Sequence, residues 1–257
     1  MAKTELLAPY IVETYQKYTS PGFLKEPIFD YGISHYPPCL RSERTNRILL
    51  YPGSFNPPHH GHLELLHHVF ARSGCDIVAA ILIPLDDNRL IRKCRAVGED
   101  LILFKKQRVE LWRGRYWPHD WLWVYDRTEQ EWEEFRCLLT NRTIDNGFDV
   151  SFILLCGPDY VRQHGLPPPL SWGCSDVITS DVSRVADFVL PTSLRTLKNC
   201  TPWEKISQEK DVVRRDVLEK TAWLCSGLSL LCCDPQMIQA MLEKGGCNLV
   251  LLRNASS

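Results

Sequence analysis

The stretch that decides the fold is Arg47-Ile-Leu-Leu-Tyr-Pro-Gly53-Ser-Phe-Asn-Pro-Pro-His59-His-Gly-His62. Its first five residues form an apolar run that predicts a buried strand, and the periodic apolar residues after the run predict a helix over about 62–73. Gly53 permits close approach of the backbone to a ligand. The N–H groups and positive dipole end at the start of a helix favour phosphate. The stretch therefore predicts a strand, a phosphate-binding turn and a helix.

Further apolar runs and helical patterns alternate along the chain. The runs predict strands over 76–84, 149–156 and, more weakly, 176–180, and the periodic segments predict helices over 6–18, 107–112 and 128–139. Strands alternating with helices predict an α/β fold, a Rossmann-like, mostly parallel sheet with helices on both faces. Ligands bind beyond the carboxyl ends of the strands in such sheets.

Three regions are expected from these patterns. Residues 1–45 have scattered Pro and Gly and predict an N-terminal extension, and residues 46–200 predict the Rossmann-like catalytic domain. Residues 201–257 predict a mainly helical C-terminal segment, with a helix over 211–225 and a strand over 248–252.

Composition narrows the class of protein. The 257 residues are 44% hydrophobic and 24% charged with a net charge of −1, which is typical of a globular protein and excludes disorder over most of the chain. The balanced charge argues against DNA as a partner. No apolar run reaches the roughly 20 residues that span a bilayer, and the first residues lack the apolar core of a secretory signal. We therefore expect a cytoplasmic protein with no membrane partner.

Cysteine and histidine spacing predicts no metal site. The eleven cysteines include no C-x-x-C pair, which favours reduced thiols. Five of the eight histidines lie at 59, 60, 62, 67 and 68, without the H-E-x-x-H pattern of zinc enzymes. His67 and His68 lie further along the predicted helix, where we expect them to face solvent or a neighbouring element.

The segment from Gly53 to His62 is similar to the G-x-F-x-P-x-[HT]-x-G-H fingerprint of the nucleotidyltransferase superfamily, which includes the mononucleotide adenylyltransferases. The segment 155–159, Leu-Cys-Gly-Pro-Asp, resembles the G-x-D segment of those adenylyltransferases. The resemblance covers about 46–190 and implies ATP and Mg²⁺ as cofactors and a small-molecule nucleotide as partner. It implies phosphate contacts for His59 and His62. It further implies nucleotide contacts for Gly53, Ser54, Phe55, Asn56, Gly61, Gly157 and Asp159. No segment matches the second phosphate motif of that family, I-S-S-T-x-x-R, and the segments 179–184 and 191–195 share only part of it.

Paired carboxylates, Asp86 and Asp87, follow the second predicted strand. At the carboxyl end of a strand they lie at the expected ligand crevice and could hold a guanidinium through bidentate hydrogen bonds. The alternative is a helix N-cap with a charged first turn.

The same pair resembles the D-D-x-x-E motif of the fungal arginine-containing cyclodipeptide synthases, with Leu90 in place of the glutamate. That resemblance implies aminoacyl-tRNA as partner, no cofactor, and secondary metabolism as the setting. It implies that Asp86 and Asp87 bind the guanidinium or assist proton transfer, and that His59 and His62 hold the terminal nucleotide of the tRNA. Basic residues interleaved with tryptophans over 89–123 predict either an RNA-binding surface or a solvated helix face with core tryptophans.

The first hypothesis for the function is therefore a tRNA-dependent cyclodipeptide synthase that joins activated arginine to a second aminoacyl group. The alternatives are a mononucleotide adenylyltransferase, which releases pyrophosphate, and a catalytically degenerate relative that binds a nucleotide. One fold hosts many chemistries, so the fold alone does not choose among them.

Overall fold

A computed structural model describes residues 2–17, 28–29, 37–72, 77–114, 121–160, 169–174, 176–182, 190, 195 and 249–253. The chain divides into two compact units, one of residues 1–58 and 76–151 and the other of residues 59–75 and 152–257. The predicted boundaries at residues 45 and 200 stay predictions.

Parallel strands form the centre of the first unit. β3 (Thr45–Gly53) pairs with β4 (Ile77–Pro84), and β4 pairs with β5 (Leu122–Val124), all in parallel. Every residue of β4 is buried, because helices cover both faces of a parallel sheet and such strands are apolar throughout. The first two predicted strands are confirmed. β5 was not predicted from the sequence.

Among the described residues of the first unit, four segments are α-helical: α1 (Leu7–Gln16), α3 (Asp87–Val97), α4 (Lys105–Arg113) and α5 (Glu129–Asp145). The predicted helices over 6–18, 107–112 and 128–139 are confirmed, and α5 is longer than predicted. Thr128 Oγ1 accepts a hydrogen bond from the Glu131 N–H, and a Glu131 carboxylate oxygen accepts from the Thr128 N–H. This reciprocal capping box fixes the start of α5.

The N-terminal residues contribute to the core of this unit. β1 (Thr4–Leu6) pairs antiparallel with β2 (Cys39–Arg41), and α1 packs against α5. Tyr15 of α1 makes an edge contact with Phe135 of α5, with ring centroids 6.2 Å apart.

The tryptophans of the basic segment also belong to the core. Trp112, Trp121 and Trp123 are 1%, 2% and 4% exposed. Buried rings cannot stack on the bases of an RNA, so for these three residues the core interpretation holds and the RNA interpretation is wrong. Trp117 lies outside the described residues.

The second unit contains α2 (His60–Arg72), β7 (Asp176–Ser180), β8 (Leu249–Arg253) and most of β6 (Asp149–Leu155). β6 pairs with β7 in parallel, β7 pairs with β8 antiparallel, and α2 packs against β7. The strands predicted over 149–156, 176–180 and 248–252 are confirmed, whereas the helix predicted over 211–225 lies outside the described residues.

Strands and helices thus alternate as predicted, and the α/β, Rossmann-like fold class is confirmed. The order of the strands is β5-β4-β3 in the first unit and β6-β7-β8 in the second. Among the described helices, none combines the length and the apolar character needed to cross a membrane.

Candidate functional site

The turn after β3 is shaped by the ring of Phe55. Phe55 has a φ of 47° and is 1% exposed, and its ring makes edge contacts with Tyr51 and Trp112 at centroid distances of 5.2 and 5.3 Å. A Cβ atom on Gly53 would lie 2.6 Å from Cζ of this ring. Glycine at position 53 is therefore required by the packing of the chain itself. Contacts of Gly53 and Phe55 with a nucleotide stay predictions.

Asn56 fixes the same turn to the segment between α3 and α4. Its side-chain oxygen accepts a hydrogen bond from the Leu103 N–H at 2.8 Å, and its amide nitrogen donates to the Leu101 carbonyl at 2.6 Å. Both functions of the amide are thus engaged within the chain. A direct contact of Asn56 with a nucleotide stays a prediction, and its observed contacts give it a structural part in the turn.

Ser54 brings polar groups to the turn. Its hydroxyl accepts a hydrogen bond from the Lys93 ammonium at 2.8 Å, and Lys93 is exposed on α3. A hydroxyl beside an ammonium suits the oxygens of a phosphate, because both can donate hydrogen bonds to an anion.

Asp86 occupies the N-cap position of α3, as the helix N-cap alternative predicts, with φ −62° and ψ 148°, but its side chain makes no capping hydrogen bond to this helix. One of its carboxylate oxygens accepts from the Lys105 ammonium at 2.8 Å, and the other accepts from the Glu129 N–H at 3.1 Å. In return, a Glu129 carboxylate oxygen accepts from the Asp86 N–H at 2.9 Å. The carboxylate of Asp86 therefore joins the starts of α3 and α5.

Asp87 holds a guanidinium, and that guanidinium is the chain's own Arg108. The distance from Arg108 Nη2 to Asp87 Oδ1 is 2.9 Å, and the Lys105 N–H donates to the same oxygen at 2.6 Å. Arg108 is fully buried. Burial lowers the pKa of its guanidinium, and the charge of Asp87 opposes that change. The predicted binding of a substrate guanidinium by Asp86 and Asp87 is not addressed by these contacts and stays a prediction.

Leu90 departs from the D-D-x-x-E pattern for a visible reason. It is 1% exposed and lies, with Cys94, on the face of α3 that packs into the core. A glutamate at position 90 would place its carboxylate among apolar side chains, at a large cost in desolvation.

His59 and His62 form a stacked pair at the start of α2. Their ring centroids are 3.7 Å apart, with an angle of 28° between the ring planes. The His59 N–H donates to His62 Nδ1 at 3.3 Å, and the His62 N–H donates to the His59 carbonyl at 3.0 Å. Because Nδ1 accepts, the proton of a neutral His62 ring lies on Nε2, which becomes the donor nitrogen.

The start of α2 therefore has the features of an anion site. His59 is exposed, and Gly61 and His62 are half-buried. The first N–H groups of a helix and its positive dipole end favour negative charge there, and imidazole donors add to that preference. This is the chemistry that the fingerprint implies for His59 and His62.

Further along α2, His67 and His68 are buried, so they face neighbouring elements and not solvent. Burial lowers the pKa of His67 to about 4, which makes the ring neutral at physiological pH. Within the described ranges, no group of three or more His, Cys, Asp or Glu side chains is arranged to hold a metal ion.

Gly157 and Asp159 follow β6. Gly157 is half-buried, and its carbonyl accepts a hydrogen bond from the Tyr160 N–H at 3.0 Å, which closes a 3₁₀ turn over Pro158–Tyr160. The side chain of Asp159 lies outside the described part of the chain. Both residues follow a strand, as the resemblance predicts. Their contacts with a nucleotide stay predictions.

Within the first unit, the side chain of Arg108 joins the turn after β3 to the start of α3. Arg108 donates to the Ser54 carbonyl at 2.8 Å and to the Asp87 carboxylate, so the turn after β3 and the start of α3 share one side chain. The contacts of Arg108, Lys105 and Glu129 were not predicted from the sequence. A signal was present for Arg108, because its spacing from Trp112 places a charged residue on the apolar face of a helix.

Comparison with known proteins agrees with the motif. Residues 50–164 match the model of the cytidylyltransferase-like family. This range contains β4, α2 to α5 and the motif residues 53–62, and it covers a little under half of the chain. The curated proteins include no match to the sequence.

Proposed function

Because residues 50–164 match the model of the cytidylyltransferase-like family, we propose that the protein is a nucleotidyltransferase that joins ATP to a mononucleotide. The observation that carries the proposal is the stacked pair His59 and His62 at the start of α2. A phosphate oxygen of the mononucleotide attacks the α-phosphorus of ATP and forms a new P–O bond. The bond from that phosphorus to the oxygen it shares with the β-phosphate breaks, and pyrophosphate leaves with the electron pair.

The two histidines would act on the α-phosphate. The Nε2–H of His62 is directed for donation by the hydrogen bond at Nδ1, and it would donate to an oxygen whose negative charge grows in the transition state. The N–H groups at the start of α2 would add to the same stabilisation. His59, stacked on His62, would restrict the orientation of the second ring.

The first unit, taken by itself, also has groups whose chemistry suits phosphate oxygens. The Lys93 ammonium and the Ser54 hydroxyl are 2.8 Å apart, and both can donate hydrogen bonds to an anion. Mg²⁺ bound with the triphosphate would neutralise part of its charge, as is usual for nucleotide substrates.

The test is a product assay with ATP, CTP, GTP or UTP, Mg²⁺, and nicotinamide or nicotinate mononucleotide. We expect release of pyrophosphate and a dinucleotide seen by mass spectrometry, with both lost in His62→Ala and retained in His60→Ala, which changes a neighbouring exposed histidine at a variable position of the fingerprint. Nucleotide binding without pyrophosphate in the wild type would instead favour the degenerate relative.

The second candidate function is a tRNA-dependent arginine-containing cyclodipeptide synthase of secondary metabolism. Two observations favour it: Asp86 and Asp87 are one-third exposed at the end of β4, and α3 presents exposed Arg92, Lys93 and Arg95. Cations of this kind suit the phosphates of a tRNA. Aminoacyl transfer from tRNA esters would need no cofactor.

The second candidate predicts a different product. The protein would be incubated with total tRNA, aminoacyl-tRNA synthetases, ATP and all amino acids, with and without ribonuclease. An arginine-containing diketopiperazine that disappears with ribonuclease would establish this function and replace the first proposal. Absence of that mass, together with a dinucleotide in the first assay, would exclude it.

A further inference from the structure

Arg108 is a buried side chain of the first unit whose guanidinium joins several segments of the chain. It lies on α4, is 0% exposed, and donates to four acceptors. Nε donates to the Leu103 carbonyl at 2.9 Å, and Nη1 donates to the Ser54 carbonyl at 2.8 Å. Nη2 donates to the Leu85 carbonyl at 2.7 Å and to Asp87 Oδ1 at 2.9 Å. One planar guanidinium thereby holds the turn after β3, the end of β4 and the segment before α4.

These bonds act on a turn whose backbone needs support. Phe55, next to Ser54, has a φ of 47°, a conformation that residues with a side chain rarely adopt and that persists only where neighbouring contacts impose it. The hydrogen bond from Arg108 to the Ser54 carbonyl fixes the peptide group that precedes Phe55. Asn56 fixes the far side of the turn through Leu101 and Leu103.

A lysine at position 108 could not make the same set of hydrogen bonds. Five N–H donors in a rigid plane allow arginine to serve acceptors in several directions, whereas the ammonium of lysine presents three donors at one point. Without the guanidinium, the Leu85 carbonyl, which is itself buried, would lose a partner that it cannot recover from water.

We infer that Arg108 is a positioning residue that holds the turn 54–56 in the conformation that binds the nucleotide phosphates. The inference rests on the proposed function and names a residue that acts without touching the nucleotide, because its side chain has no exposed surface. The ion pair with Asp87 offsets the charge of the buried guanidinium. Displacing a ligand-holding group by about 1 Å can cost roughly 10²-fold in rate, so a shifted turn has a measurable effect.

The experiment compares Arg108→Lys with a core variant away from the turn, Phe135→Leu on α5, whose wild-type side chain is 1% exposed. Both proteins are expected to show a lowered melting temperature. For Arg108→Lys we expect the KM and the Kd for ATP to rise at least about tenfold, with a smaller change in kcat. For Phe135→Leu we expect both constants within about twofold of wild type. Equal changes in the two variants would overturn the inference, since they would report lost stability alone.

Hydrogen exchange provides a readout that does not depend on activity. The Leu85 N–H donates to the Gly53 carbonyl and the Leu103 N–H donates to Asn56, so both amides report on the turn. We expect them to exchange at least about tenfold faster in Arg108→Lys than in Phe135→Leu, while the Ala80 amide of β4 changes equally in both variants. Uniform acceleration of all three amides would overturn the inference.

A second variant covers the case in which Arg108→Lys does not fold. Asp87→Asn keeps an oxygen acceptor for Arg108 but removes the neutralising charge, and we expect faster exchange at Leu85 and Leu103 with a raised KM for ATP. Unchanged exchange at both amides would overturn the inference. If the wild type binds no nucleotide, the proposed function fails, and the exchange data then show by themselves whether Arg108 holds the turn.

Discussion

Gly53–Asn56 and His59–His62 belong to the same ten-residue motif, but their side chains are used in different ways. In the first segment, the ring of Phe55 is buried against Gly53 and the amide of Asn56 is bonded to Leu101 and Leu103. In the second, two imidazoles stack at the start of a helix, where anions are favoured. A motif that is linked to one function therefore contains residues that build the turn and residues that suit the chemistry.

Polar residues of the first unit that bond to one another differ from the stacked histidines at the start of α2. The polar groups of the first unit, Asp86, Asp87, Lys105 and Arg108, satisfy one another in a network that joins α3, α4 and α5. The stacked pair at the start of α2 is linked by the hydrogen bonds from the His59 N–H to His62 Nδ1 and from the His62 N–H to the His59 carbonyl, and its rings lie outside that network. Substitutions in the network should therefore alter stability first, whereas substitutions in the pair should alter activity first.

The largest expected effect is that of His62→Ala on activity. Loss of a donor to a developing oxyanion lowers kcat by roughly 10²–10³-fold. Because His62 is half-buried on the first turn of α2, we expect the melting temperature to stay within a few degrees of wild type. Pyrophosphate release measures the first quantity and thermal unfolding the second.

The matched control is His60→Ala, which removes an exposed imidazole from the same turn of the helix. Its kcat should remain within about twofold of wild type, because the substitution leaves the Nε2–H donor of His62 in place. Equal losses in the two variants would mean that removal of any imidazole at this helix start, and not of the His62 donor, lowers activity, and the contrast between the two segments would disappear.

The next effect is a pH dependence of stability that arises further along the same helix. Burial lowers the pKa of His67 to about 4, whereas an unfolded histidine titrates near 6.5. The unfolded chain therefore binds a proton that the folded chain does not, so stability is full above about pH 6.5 and falls by about 3 kcal/mol as the pH decreases to about 4.

Urea unfolding at several pH values measures this loss, and His67→Gln, which does not titrate, is the control. Its stability at neutral pH will be lower because the site is buried, but its decrease between pH 6.5 and 4 should be smaller by about 3 kcal/mol. Parallel curves for the two proteins would contradict the assignment. Such a result would place the acid sensitivity in the carboxylate network of the first unit.

A smaller loss of stability is expected when the packing of the turn after β3 is disturbed. Gly53→Ala places a Cβ atom 2.6 Å from the Phe55 ring, and an overpacked site costs about 2 kcal/mol. Phe55→Leu removes part of the ring and should relieve the clash. In a double-mutant cycle, the cost of Gly53→Ala in the Phe55→Leu background should fall by at least about 1 kcal/mol. Additive effects would show that Gly53 is needed for a reason other than this ring.

Much of the fold followed from local patterns in the sequence. The apolar runs of β3, β4 and β6 are continuous because helices cover both faces of the strands, and this gives a strong signal. β5 has three residues, Leu122–Val124, in a segment rich in tryptophan, too short for periodicity to identify.

The site was predicted less completely, because its contacts are not local in sequence. The motif identified His59 and His62, and the alternative for Asp86 identified the N-cap. The partners of the two carboxylates lie between 18 and 43 residues away along the chain, so no local pattern could reveal them. The RNA interpretation failed for Trp112, Trp121 and Trp123 because composition does not show which rings are buried.

The smallest expected effect on stability is that of the Asp86 variants. Their effect on activity distinguishes the two candidate functions. Asp86→Ala removes the acceptor for Lys105 and Glu129, which should lower stability by about 1 kcal/mol because the site is one-third exposed. Asp86→Asn keeps an oxygen for the Glu129 N–H and should lose less. If Asp86 joins helices, pyrophosphate release at saturating substrate will be unchanged in Asp86→Asn. If its carboxylate binds a guanidinium or moves a proton, Asp86→Asn will abolish diketopiperazine formation while the protein remains folded. The same substitution therefore tests both whether the network is structural and whether the acidic pair takes part in catalysis.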